Sequence, residues 1–223
     1  GCFPMNYKHF SEIYTDEAQF FREKMQYLFD KSFENKDETL LRTLYISLRQ
    51  LQFDEDFSFN TESVELTSLA ESLTVACDIL ASPSGISFIF CGDEPCYIDG
   101  NQKLISKALL NLLSNAYLYG KGNLVTVKTV STNDFSRLEV LSGGNFTNIN
   151  QNGKGLIFVR QVCEKMRGKF LIEQSLSHTK AIMTFKNSQF DFNSCSRIET
   201  DILSLVSDRL SPACVEMFGM EYH

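Results

Sequence analysis

The chain has 223 residues, enough for one large domain or two small ones with a hydrophobic core of their own. Hydrophobic residues make up 43% and charged residues 22%, a globular composition that excludes a disordered or fibrous chain. The net charge of −7, with 21 Lys and Arg scattered and forming no run, argues against a nucleic-acid surface, because neutralising phosphates needs clustered cations.

In chain order, Phe20, Phe21, Met25, Leu28 and Phe29 recur at three- and four-residue spacing and predict a helix over 14–34. Asn35-Lys36-Asp37 breaks it. Leu40, Leu41, Leu44, Leu48 and Leu51 predict a second amphipathic helix over roughly 38–53. Joined by a short polar loop, the two form an antiparallel hairpin. Its apolar stripe must be covered, either by the rest of the chain or by a second copy in a four-helix dimer. Residues 54–63 are acidic and polar and read as a linker. Ser68-Leu69-Ala70-Glu71 fits a capping box opening a helix that runs to about Ala81 and stops near Pro83.

Ile86–Phe90 reads as a strand and 101–119 as a long helix. Leu124–Val130 and Arg137–Leu141 are strands around a Ser-Thr-Asn-Asp turn. A helix over 155–167 ends at Gly168, the expected C-terminal cap. Phe170–Gln174 and Ala181–Phe185 form a closing hairpin. In the tail, Ile202, Leu203, Leu205, Val206 and Leu210 give a short amphipathic helix that stops before Pro212. It either docks on the chain's own surface or binds a partner. Helices covering one face of a mixed sheet make a two-layer α/β sandwich, so the fold class is α+β: a helical hairpin, then the sandwich. The expected divisions are 1–57, 58–187 and 188–223.

No apolar stretch approaches the ~20 residues of a membrane span, and no signal peptide is present. The start, Gly1-Cys2-Phe3-Pro4, lacks an initiator Met, and Gly1 reads as a tag remnant. A fragment is therefore expected, whose removed upstream part holds a sensor or membrane segment. Seven cysteines without a C-x-x-C pair read as reduced thiols of a cytosolic protein. The nearest two, Cys91 and Cys96, do not have a recognised metal-ligand spacing.

Three segments carry chemistry. In Asn111-Leu112-Leu113-Ser114-Asn115-Ala116 the asparagines are four apart and leave one helix face. Asparagine is a poor mid-helix residue, so the pair has a reason to be there. Two carboxamide oxygens can ligate Mg²⁺, a hard ion shared with phosphate, or both amides can simply hydrogen-bond neighbouring loops. Gly153-Lys154-Gly155-Leu156 opens a helix. Its free N–H groups and partial positive charge suit phosphate, Lys154 can add a charge, and the same residues can be only a tight loop. Leu138-Glu139-Val140-Leu141-Ser142-Gly143-Gly144 is a strand running into a glycine turn.

Taken in this order, the segments resemble the ATPase fold shared by histidine kinases, gyrase and the heat-shock chaperones. The likeness is strongest to the histidine kinases. "LISKALLNLLSNAYLYG" is similar to their asparagine box and "GKGLIFVRQV" to their second glycine box. "GKFLIEQS" followed by "TKAIMTF" is similar to their closing hairpin. The resemblance spans about 58–187 and implies ATP and Mg²⁺ as cofactors. Asn111 and Asn115 would contact Mg²⁺ and phosphate, Tyr119 would lie beside the nucleotide, and Gly144 would shape the adenine turn. Gly153 and Gly155 would face the phosphates, with Lys154 and Leu156 in the same box. Asp99 sits within a residue or two of a family acidic position. The hairpin would supply dimerisation and the phosphoacceptor, for which His9 is the candidate. A response regulator would receive the phosphoryl group.

The sequence departs from the family at named positions. Ser142 stands where an aspartate accepts a hydrogen bond from the adenine amine. A neutral hydrogen bond contributes about 0.5–1.5 kcal/mol against about 1.5–3 for a charged one, so Ser142 alone is expected to weaken binding by about tenfold or more. Phe146 replaces a later glycine, and the lid segment 145–152 is short and has no basic residue. His9 is followed by Phe10 rather than an acid, with Glu12 the nearest. These departures leave open a degenerate relative that signals or relays phosphate without using ATP. A bare ATPase of the same fold acting as a serine kinase is disfavoured by the hairpin.

Overall fold

A computed structural model of the chain describes residues 23–37, 39–45, 61–92, 94–144, 153–188, 202–208 and 211–221. Residues 23–34 (α1) and 39–45 (α2) are helical, with the polar break where the sequence places it. Lys36 takes a left-handed conformation (φ 52°), and Asp37 N–H reaches back to Ser32 O at 2.8 Å, which ends α1. The Asp37 carboxylate then accepts from Leu40 N–H at 2.9 Å and caps α2. Met25, Phe29, Leu41, Leu44 and Tyr45 form a separate small core, with the Phe29 and Tyr45 rings edge to face at 4.6 Å. Phe20, Phe21, Leu48 and Leu51 lie outside the described residues.

The chain continues as β1 (Glu62–Glu65), α3 (Leu66–Ala81), β2 (Ser87–Cys91), β3 (Tyr97–Gly100), α4 (Gln102–Tyr119), β4 (Leu124–Ser131) and β5 (Phe135–Gly143). Then follow α5 (Lys154–Lys165), β6 (Lys169–Gln174), β7 (His178–Lys186), α6 (Ile202–Ser207) and α7 (Pro212–Glu221). Five strands form one mixed sheet in the order β2-β4-β5-β7-β6. The β2–β4 pair is parallel and the rest are antiparallel. α3, α4 and α5 pack on the sheet. Leu109, Leu110 and Leu113 of α4 are fully buried with Val127, Leu138 and Met183 of the strands. The expected α+β two-layer sandwich is the fold observed.

Four local details differ from the sequence reading. The capping box at Ser68 is not used. Glu65 ends β1 and caps α3 instead, its carboxylate accepting from Thr67 N–H at 3.0 Å and Ser68 N–H at 3.1 Å. The stretch read as linker therefore ends in a strand, and β1 pairs antiparallel with β3. The left-handed residue closing α5 is Arg167 (φ 55°), not Gly168. Gly168 N–H donates to Cys163 O at 2.7 Å, and a Cβ at 168 would overlap Thr184 O, so the glycine serves close approach of strand and helix. Finally, Pro212 opens α7 rather than only ending a helix, a position where its missing N–H costs nothing. Ala213, Cys214, Val215 and Met217 of α7 are buried, and the helix packs on α3 and α4.

The described cysteines, Cys77, Cys91, Cys96, Cys163 and Cys214, are free thiols. Among the described residues no helix is long and apolar enough to cross a membrane.

Candidate functional site

A narrow cleft, enclosing about 30 Å³ and open to solvent at its mouth, lies between the helix layer and the sheet. α4 contributes Leu112, Asn115 and Ala116, which share a face by their three- and four-residue spacing. Val140 and Ser142 come from β5, Leu156 from the first turn of α5, Ile172 from β6, and Thr179 and Ala181 from β7. The walls are apolar. Among the described residues the polar groups are the Asn115 carboxamide and the hydroxyls of Ser142 and Thr179, and no charged side chain lines the cleft.

The two asparagines have different positions. Asn111 is fully buried, and its Oδ1 accepts from Asn115 Nδ2 at 3.2 Å. Asn111 lies under the start of α5: a Cβ on Gly155 would overlap Asn111 Oδ1 and stand 2.6 Å from its Nδ2. That Nδ2 is buried without a hydrogen-bond partner among the described residues. Asn115 is only partly buried and lines the cleft. With its nitrogen committed to Asn111, its carboxamide oxygen is left for a ligand.

Gly153 caps α5 without a side-chain hydrogen bond, so the helix start carries no side-chain cap of its own. Lys154 is exposed there, while Leu156 turns inward and is buried. Gly144 has φ 91°, donates its N–H to Ser177 O at 2.7 Å and accepts from Thr179 Oγ1 at 3.1 Å. A Cβ on Gly144 would stand 2.6 Å from Lys121 Cβ, so only glycine fits both the dihedral and the space. Ser142 is 4% exposed, pairs with Thr179 across β5 and β7, and its hydroxyl has no partner among the described residues.

Other expected site residues lie apart from the cleft. Tyr119, the last residue of α4, is 52% exposed and is not part of the lining. Asp99 stands in β3 opposite Ser63. The start of α4 is capped by Asn101, whose Oδ1 accepts from Leu104 N–H at 3.0 Å. His9, Phe146 and the lid segment 145–152 lie outside the described residues. The sequence reading missed Leu112 and Ala116 of α4, and Val140, Ile172, Thr179 and Ala181 of the strands, as cleft residues. For the strands, alternation carried the signal, since Leu138, Val140 and Ser142 in β5, and Thr179 and Ala181 in β7, point to the helix-covered face.

The set fits a metal-bound nucleotide in its chemistry. An apolar slot suits a flat base, an uncapped helix start suits phosphate, and a carboxamide oxygen with no other partner suits a hard divalent ion.

No protein-family model matches the chain, and no curated protein matches it. Solved structures do. The catalytic domain of histidine kinase ThkA superposes with a TM-score of 0.51 at 17% identity, covering 58% of this chain and 98% of that one. The ATP-binding domain of PrrB from Mycobacterium tuberculosis gives 0.52 at 18% identity, covering 59% and 100%. Acinetobacter baumannii histidine kinase AdeS gives 0.53 at 17% identity, covering 71% and 84%. The fold is thus the one found in histidine kinase ATP-binding domains. At these identities the likeness establishes the fold, and what the chain does is argued from its own cleft.

Proposed function

We propose that the chain is the catalytic core of a cytoplasmic two-component histidine kinase that binds Mg-ATP in the α4–β5–α5 cleft. The supporting observation is Asn115, whose carboxamide oxygen is left open to the cleft by the bond from its nitrogen to buried Asn111. Asn115 would contact the metal, and Asn111 would position it. The N–H groups at Gly153–Leu156 would hold phosphate, with Lys154 alongside, and Leu156, Val140 and Ile172 would enclose the base. Mg²⁺ would neutralise charge on the transferred phosphoryl group, leaving the protein to position it. In this reading His9 accepts the phosphoryl group and a response-regulator aspartate receives it. The chain pairs with a second copy through α1 and α2, where Tyr27, Leu28 and Phe33 remain exposed.

One observation favours a second reading. Among the described residues the cleft has no charged lining residue, and Ser142 supplies a neutral hydroxyl at the position where the resemblance calls for a carboxylate. A relic domain that signals or relays phosphate without ATP would have such a cleft. Calorimetric titration of ATP with excess Mg²⁺ separates the two. Binding at micromolar to high-micromolar affinity, lost in Asn115→Ala, supports the kinase. No heat at millimolar nucleotide supports the relic.

A further inference from the structure

We propose that the cleft binds 6-amino and 6-oxo purine nucleotides with nearly equal affinity, so that it takes inosine triphosphate as well as ATP. This rests on the nucleotide reading above and adds the base specificity of the same cleft. Phosphate belongs at the uncapped start of α5, from which Leu156 lines the cleft. The base then enters the apolar slot between Leu112, Ala116, Val140, Ile172 and Ala181. Ser142 and Thr179 stand opposite each other on adjacent strands there.

The two hydroxyls are not equivalent. Thr179 has one proton, and it is directed at Gly144 O, 3.1 Å away. Ser142 Oγ has no partner among the described residues, and its residue is 4% exposed, so it is held inside the cleft with its proton free to turn. A carboxylate can only accept a hydrogen bond. It would pair with a 6-amino group and repel a 6-oxo oxygen. A hydroxyl can do either. Rotation about one torsion lets Ser142 accept from a 6-amino group or donate to a 6-oxo oxygen, so the 6-substituent of either base finds a partner. Discrimination of about four to five orders of magnitude comes from sites where the wrong ligand strands a polar group, and at the 6-substituent this cleft lacks that penalty.

The test compares ATP with inosine triphosphate, each with excess Mg²⁺, by calorimetry on the full chain. The expected result is dissociation constants within about fivefold of each other. Ser142→Ala, which removes the hydroxyl without adding bulk, should weaken both by a similar factor, about two- to tenfold. Ser142→Asp should leave ATP bound and weaken inosine triphosphate by more than tenfold. A preference of the unaltered chain for ATP above about twentyfold would overturn this inference while leaving the nucleotide reading intact. Failure of both nucleotides to bind would overturn both.

Discussion

The side-chain nitrogen of Asn115 donates to Oδ1 of Asn111 across 3.2 Å, one helical turn earlier on α4. That bond fixes the orientation of the Asn115 amide and separates the roles of the two residues. Asn115→Ala removes the cleft-facing oxygen and strands the buried Asn111 amide, costing about 1–3 kcal/mol of stability. Ligand-induced stabilisation should disappear altogether, since it scales with binding to the folded state alone. The expected outcome in thermal melts is a lowered midpoint that millimolar Mg-ATP no longer raises. A midpoint shift equal to that of the unaltered chain would remove Asn115 from the site.

Gly155 should be intolerant of any side chain, for a reason that lies in α4. A Cβ there would overlap Asn111 Oδ1 and stand 2.6 Å from Nδ2, and Asn111 is fully buried and cannot swing away. Gly155→Ala should destabilise the chain by about 1–3 kcal/mol in urea unfolding, despite alanine's better helix propensity. The cost should shrink by more than about 0.5 kcal/mol in an Asn111→Ala background, where the clash has no partner. Additive costs in that double-mutant cycle would show that Gly155 is kept for another reason.

The sheet and the long α4 helix were legible because their signals are periodic. Alternation marked β4 and β5, and a dense leucine pattern ending at a glycine marked α4. The glycine turn at Gly143-Gly144 and the helix opening at Gly153 were read in place. What escaped were features set by tertiary partners. β1 is four residues long and exists because β3 pairs with it. Glu65, not Ser68, caps α3 because β1 runs straight into that helix, which brings the carboxylate over the first free N–H groups. The spacing of Asn111 and Asn115 placed both on one face. It could not show that α5 lies over Asn111 and leaves only Asn115 open, since that depends on an element more than 40 residues away.

The tail supplies a sharper contrast between sequence and packing. α6 is exposed at Leu203 (75%), whereas Met217 of α7 is 2% exposed against α3 and α4. Glu216 is also buried, and Ser114 of α4 donates to its carboxylate at 3.4 Å. Met217→Ala should therefore cost about 2–5 kcal/mol, as deletion of core methylenes does elsewhere. Leu203→Ala should change stability by less than about 0.5 kcal/mol. Equal, small effects in urea titrations would show that the tail only adheres to the domain and is not part of its core.

The buried thiols predict how stability changes in alkali. Burial, with a smaller contribution from Glu164, pushes the Cys163 thiol up to about 12 from an ordinary value of 9.0. Cys77 is raised as well, first by burial and then by Cys214 and Glu216. A thiol whose pKa is raised on folding favours the folded state fully below the unfolded value, and that contribution is lost as pH climbs from about 9 toward 12. Between pH 8 and pH 10 each such thiol should cost about 1.4 kcal/mol, because the unfolded chain ionises while the folded one does not. Other groups titrate in the same range, so the informative quantity is a difference between two proteins. Cys163→Ala should lose less stability than the unaltered chain between pH 8 and pH 10, by about that amount, in paired urea titrations. Identical pH dependence in the two proteins would mean that Cys163 ionises as readily folded as unfolded, and would overturn the prediction.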